Sequence, residues 1–197
     1  AVPSRQFDIS KIDFDLLSRE FARTRRKNLL LRDLDELVNQ QLAKMLFANP
    51  QRIDYYDRYQ EIIDAYNAEQ NRATIEKTFM DLMELASSLD TEQQRYVREG
   101  FSSDEELSVY DLLFSENLTK QEIETIKKVS VDLLTKIKQQ IAKLDHWTDK
   151  QETKAIVDNL IRNTLWQELP NSYDVSDIQT YQKKIYEYVY MRYPEVA

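Results

Sequence analysis

The chain has 197 residues, enough for one domain or two small ones, and its 31% charged and 42% hydrophobic side chains match an ordinary soluble globular protein. Lysine and arginine number 27 against 35 acidic residues, a formal charge of −8, so the chain as a whole is no general polyanion binder. One glycine, four prolines and no cysteine exclude disulfides and thiolate metal sites, and favour long helices with short polar connections over a turn-rich sheet.

No run approaches the roughly 18 apolar residues of a membrane span. The N-terminus shows no signal peptide. The lack of cysteine is compatible with a cytoplasmic setting, which is the expected localisation. Ala1 is not a natural start, and the chain reads as a fragment of something longer or as a processed form.

Residues 1–10 carry Pro3 and Ser4 and little pattern, and are expected to be a linker ahead of a helical domain spanning 11–197. Residues 12–27 place Phe14, Leu17 and Phe21 on one helical stripe and end in Arg23-Thr24-Arg25-Arg26-Lys27. Basic residues suit the negative end of a helix dipole. The cluster is either a solvated helix end or a contact for phosphates or an acidic partner. Residues 30–48 form a second helix, striped by Leu34, Leu37, Val38, Leu42, Met45 and Leu46. Asn49-Pro50 stops it, because the residue before a proline is pushed out of the α region.

Residues 52–67 form a tyrosine-rich helix. Tyr55, Tyr56, Tyr59, Ile62, Ile63 and Tyr66 recur at spacings of three and four and share one broad face. That face is either core with its phenols at the edge or a surface where another protein docks. After a break at Asn71-Arg72 the period continues through Ile75, Phe79, Leu82, Met83, Ala86 and Leu89. Asp90-Thr91 offers a cap for a short helix with Tyr96 and Val97, and Gly100 closes it.

A further N-terminus is expected at Ser102-Ser103-Asp104-Glu105-Glu106. Thr119-Lys120-Gln121-Glu122 matches a capping box and opens a long helix through Leu144. Thr148-Asp149-Lys150-Gln151 matches a second, followed by an apolar stripe that runs to Leu169 before Pro170. Ser176 is expected to cap the last helix, which Pro194 ends. No fixed period repeats, so the fold class is all-α, an irregular multi-helix bundle with no sheet of consequence.

Phosphate-cradling loops need several glycines, and Gly100 stands alone. His146 is the only histidine and cannot supply a two-histidine metal site. It is expected to flank a turn beside Trp147. Glu152-Thr153-Lys154 matches half of a nuclease signature, but that signature works on paired strands and here it opens a helix. Catalytic, cofactor-binding and metal-ligating residues are expected to be absent.

The run Asn49-Pro50-x-Arg52-x-Asp54-Tyr55-Tyr56-x-Arg58-Tyr59-Gln60-x-Ile62-Ile63-x-x-Tyr66-Asn67 resembles the C-terminal region of the motor (R) subunit of bacterial type I restriction enzymes. Leu169-Pro170-x-Ser172-Tyr173 and Tyr186-x-x-Val189-Tyr190-x-x-Tyr193 extend the likeness to nearly the whole chain. The resemblance implies a fragment of a large ATP-dependent site-specific deoxyribonuclease whose parent uses ATP and Mg²⁺. The family's Walker, helicase and nuclease motifs match no position here, so no catalytic residue carries over. What carries over is a role in joining the motor to the methyltransferase core during restriction of foreign DNA, with contact to the DNA backbone left open.

Two further expectations concern partners. Tyr186, Tyr190 and Tyr193 lie on a face adjacent to the apolar one in the last helix. With Tyr173 from the preceding loop, they either seat the methyltransferase core or are covered by the rest of this chain. Arg23, Arg25, Arg26 and Lys27 are the candidate contacts for double-stranded DNA. The alternative is an independent helical nucleic-acid-binding or adaptor protein, for which a dominant basic face is expected and the charge of −8 argues against it.

Overall fold

A computed structural model describes residues 9–196. Among them there is helix and no strand, and the chain is an all-α multi-helix protein. It divides into two compact units, Ala1–Arg98 and Glu99–Ala197, within the span expected to be one helical domain. Of the expected linker, residues 1–8 lie outside the described residues. Ile9–Lys11 is a short 3-10 turn with Ile9 buried in the core of the first unit.

In the first unit α1 is Phe14–Arg23, α2 is Lys27–Ala48, α3 is Ile53–Ala68, α4 is Arg72–Gln93 and α5 is the single turn Arg95–Arg98. Asp13 caps α1, its carboxylate accepting from the Leu16 amide at 3.0 Å. The helix expected over 12–27 breaks at Thr24, which is extended at φ −73° and ψ 144°; its hydroxyl accepts from the Arg26 amide. This local hydrogen bond competes with helix and turns the chain into α2.

Leu31, Leu34, Val38, Leu42 and Met45 of α2 follow a helical spacing and face Phe79, Leu82, Leu85, Ala86 and Leu89 of α4. The Phe21 ring stacks on Phe79 with centroids 3.7 Å apart. Each fully buried large apolar side chain contributes about 1.5–3 kcal/mol, so this stripe holds the unit together. Asp90-Thr91 does not start a new helix. Instead α4 runs on to Gln93, and its extra turn carries Glu92 inward to Arg52.

The second unit holds α6 (Asp104–Leu113), α7 (Lys120–Ile141), α8 (Gln151–Glu168) and α9 (Val175–Arg192). Each packs on the next, and α9 returns to α6. Leu107, Leu113, Ile126, Leu133, Ile137, Val157, Ile161, Leu165, Ile185 and Val189 fill the centre with no exposed surface. Gly100 precedes α6 at φ 84°, where any side chain would be strained, although nothing crowds its missing Cβ.

The caps divide into those that form as expected and those that do not. Ser103 caps α6, and Thr119 with Glu122 forms the capping box of α7. The box expected at Thr148 does not form: α8 starts after Lys150, which gives no side-chain cap, and the Thr153 hydroxyl donates back to the Trp147 and Lys150 carbonyls. Trp147 is fully buried and sets this loop. Nor does Ser176 cap α9. Asp174 does, in a reciprocal box with Asp177, because a carboxylate at each position can accept from the other's amide.

Candidate functional site

The basic run lies at the corner between α1 and α2. Arg23, Arg25 and Arg26 are exposed there. Lys27 is half-buried and already engaged: its ammonium donates to the Phe21 carbonyl at 2.6 Å and sits 4.4 Å over the Phe21 ring. It closes the end of α1 rather than reaching outward. Arg23 and Arg26 share a shallow hollow with Glu20 and Asp33, so a phosphate arriving there meets two carboxylates as well.

Contiguous with that hollow is an apolar groove of about 640 Å³ between the α1 segment and α2. Leu17, Leu30, Leu34 and Leu37 make its floor, and Leu16, 51% exposed, forms a lip. Among the described residues four carboxylates, Asp13, Glu20, Asp33 and Glu36, rim it against one ammonium, Lys11. Sequence reasoning placed Leu37 in the core stripe and overlooked Leu16. The signal was present: Leu16 falls outside the Phe14, Leu17, Phe21 stripe and stands four residues before Glu20.

The four candidate partner tyrosines all lie in the second unit, but the structure does not bring them together as one exposed face. Tyr173 is buried, its hydroxyl donating to the Leu113 carbonyl at 2.6 Å, and burial pushes its pKa well above the ordinary tyrosine value. Tyr193 donates to Glu105 at 2.8 Å, and its own carbonyl accepts from the Trp147 indole at 2.7 Å. Tyr193 is likewise raised, by burial first and by Tyr188 and Glu105 beside it. Tyr186 is half-buried and meets the edge of Trp147, with centroids 6.1 Å apart. Tyr190 also touches Trp147 but remains 37% exposed, next to the more exposed Met191.

The other sequence idioms resolve into architecture. In α3, Tyr59 is buried and donates to Asp35 at 2.7 Å, Tyr55 reaches Glu92 at 3.5 Å, and Tyr56 faces outward. Arg52 is buried in the short turn between α2 and α3, donating to Glu92 and to the Met45 carbonyl at the end of α2. Ser172 donates to Glu122, binding the loop before α9 to the capping box of α7 and holding the Glu122 carboxyl below its usual range.

Among the described residues neither a phosphate cradle nor a cluster of metal-ligating side chains forms. The one glycine stands alone at a turn and cannot build a phosphate cradle. Among the described residues no three histidine, cysteine or acidic side chains converge to hold a metal. His146 occupies a left-handed turn position at φ 46°, and Glu152 and Lys154 lie in the first turns of α8. Among the described residues no helix is long and apolar enough to cross a membrane.

Neither the curated proteins nor the solved structures contain a match to this chain. A family model matches it over residues 2–193, and the chain belongs to that family, described as type I restriction enzyme HindI endonuclease subunit-like, C-terminal.

Proposed function

We propose that this chain is a non-catalytic helical assembly module of a type I restriction endonuclease R subunit. In this reading it links the ATP-dependent, DNA-translocating motor to the methyltransferase core and so serves restriction of foreign DNA in the cytoplasm. ATP and Mg²⁺ then belong to other parts of the parent chain. The observation that carries the reading is the exposed apolar groove between α1 and α2, on a chain whose family membership spans nearly its whole length. Exposed apolar surface of this kind commonly marks a site of protein association.

A second reading, backbone contact with double-stranded DNA, is favoured by the exposure of Arg23, Arg25 and Arg26. Glu20 and Asp33 beside them, and the overall charge of −8, weigh against it. The deciding experiment is co-purification of the tagged chain with the methyltransferase subunits. Retention of those subunits is expected. A folded chain that retains none of them would remove the assembly role.

A further inference from the structure

We infer that the α1–α2 groove receives an amphipathic helix from a protein partner, with lysine or arginine flanking its apolar stripe. The inference rests on the assembly reading and names the kind of segment that docks. Volume alone does not decide the occupant, because about 640 Å³ also suits a small ligand. The lip and the rim decide it. A small apolar ligand would leave Leu16, half in solvent, largely uncovered. A helix laid along the groove covers Leu16 and seats its i, i+3, i+4 and i+7 side chains between the leucines of the floor.

The charges select the flanks of that helix. Asp13 and Glu20 stand on the α1 side, Asp33 and Glu36 on the α2 side, so both edges are acidic. A docked helix therefore meets carboxylates on both sides of its apolar stripe. Lysine or arginine there gains complementary potential, and glutamate is repelled. Along α1 the rim runs from Asp13 to Glu20, about 10 Å of helix at ~1.5 Å per residue, which seats roughly two turns of a partner. Lys11, and Arg23 and Arg26 beside Glu20 and Asp33, offset part of this charge, and the carboxylates that remain in excess along the apolar floor disfavour phosphate backbones and anionic lipid surfaces. They also disfavour a second copy of this chain, which carries −8.

The test uses the full chain and two fluorescein-labelled peptides of about 15 residues, a length at which a helix is marginally stable in water. Both carry leucine at i, i+3, i+4 and i+7; one has lysine on the flanks and the other glutamate. Fluorescence anisotropy should show the lysine peptide binding at least about tenfold tighter, with the difference shrinking as salt rises. Leu16→Glu should abolish binding, and Asp33→Lys with Glu36→Lys should reverse the preference. These side chains are exposed, and circular dichroism checks that each variant stays helical.

Should a variant unfold, carbodiimide cross-linking of the lysine peptide to the unaltered chain still decides, with cross-links expected at Asp13, Glu20, Asp33 or Glu36. Equal binding of the two peptides, no binding of either, or cross-links confined elsewhere overturns the inference. So does sedimentation that shows a dimer of this chain dissociated by Leu16→Glu. Methyltransferase capture that survives Leu16→Glu sinks the groove and spares the assembly reading. Lysine-peptide binding without methyltransferase capture does the reverse.

Discussion

The guanidinium of Arg52 donates to the Glu92 carboxylate at 3.1 Å with both side chains almost wholly buried. The same carboxylate accepts from Arg95 at 3.0 Å. Removing one member of a buried pair leaves an uncompensated charge, at a cost of about 3–5 kcal/mol. Arg95 still pairs with Glu92 when Arg52 is removed, so Arg52→Met is expected to lower stability by less than that, about 1–3 kcal/mol, in urea unfolding followed by circular dichroism. Adding Glu92→Leu should cost less than the sum of the two single losses, because the two changes remove the same contact. Full additivity of the two changes would show that the pair is not coupled.

Trp147 anchors the loop between α7 and α8. Trp147→Phe removes the indole hydrogen bond to the Tyr193 carbonyl and leaves a gap in a fully buried site. The expected loss is about 1–3 kcal/mol. Tyr186→Ala should also lower the melting temperature, since its ring packs on Trp147, while Tyr190→Ala should lower it less. Equal melting temperatures for all three variants and the unaltered chain would detach the tyrosines from the core.

Alkaline stability should follow the buried phenols. Burial raises the pKa of Tyr59, Tyr173, Tyr188 and Tyr193 above the ordinary value of 10.0. A group that holds its proton more tightly when folded stabilises fully below the unfolded pKa, and that contribution is lost as pH rises through the folded one. Stability is therefore expected to fall above about pH 10, with the tyrosinate absorbance of these four appearing together with unfolding. Tyrosinate that forms completely in a chain still helical would contradict the burial.

For the basic corner the expected result is negative. Arg23→Gln, Arg25→Gln and Arg26→Gln together should change the salt slope of duplex DNA binding by less than about one unit. Lys27 is left intact because it closes α1. A drop of nearly three units, about 0.9 for each lost phosphate contact, would assign the corner to DNA.

The sequence shows its local devices and hides its distant ones. Thr119 and Glu122 stand three apart, so their capping box is visible in the letters. The α2 stripe of Leu34, Val38, Leu42 and Met45 is visible for the same reason, since one helix sets its spacing. The box at Thr148 was suggested by an equally good spacing, but burial of Trp147 shaped the loop instead. The letters leave Tyr173 open between surface and core, because its acceptor, the Leu113 carbonyl, is 60 positions away. Arg52 and Glu92 are 40 apart and carry no mark of their pairing. The groove needs the break at Thr24, without which α1 and α2 would be one rod with no space between them.

Trp147 and Trp166, the chain's two indoles, both fall within Glu99–Ala197. Emission excited at the red edge of the absorption band, where tyrosine is silent, therefore reports on one half of the molecule alone. Trp166 is 49% exposed and Trp147 has no exposed surface, so a quencher in solution reaches the first and is kept from the second until that half opens. Far-ultraviolet ellipticity weighs both halves. The offset between the two melting curves measures how cooperatively the halves unfold, with no label added.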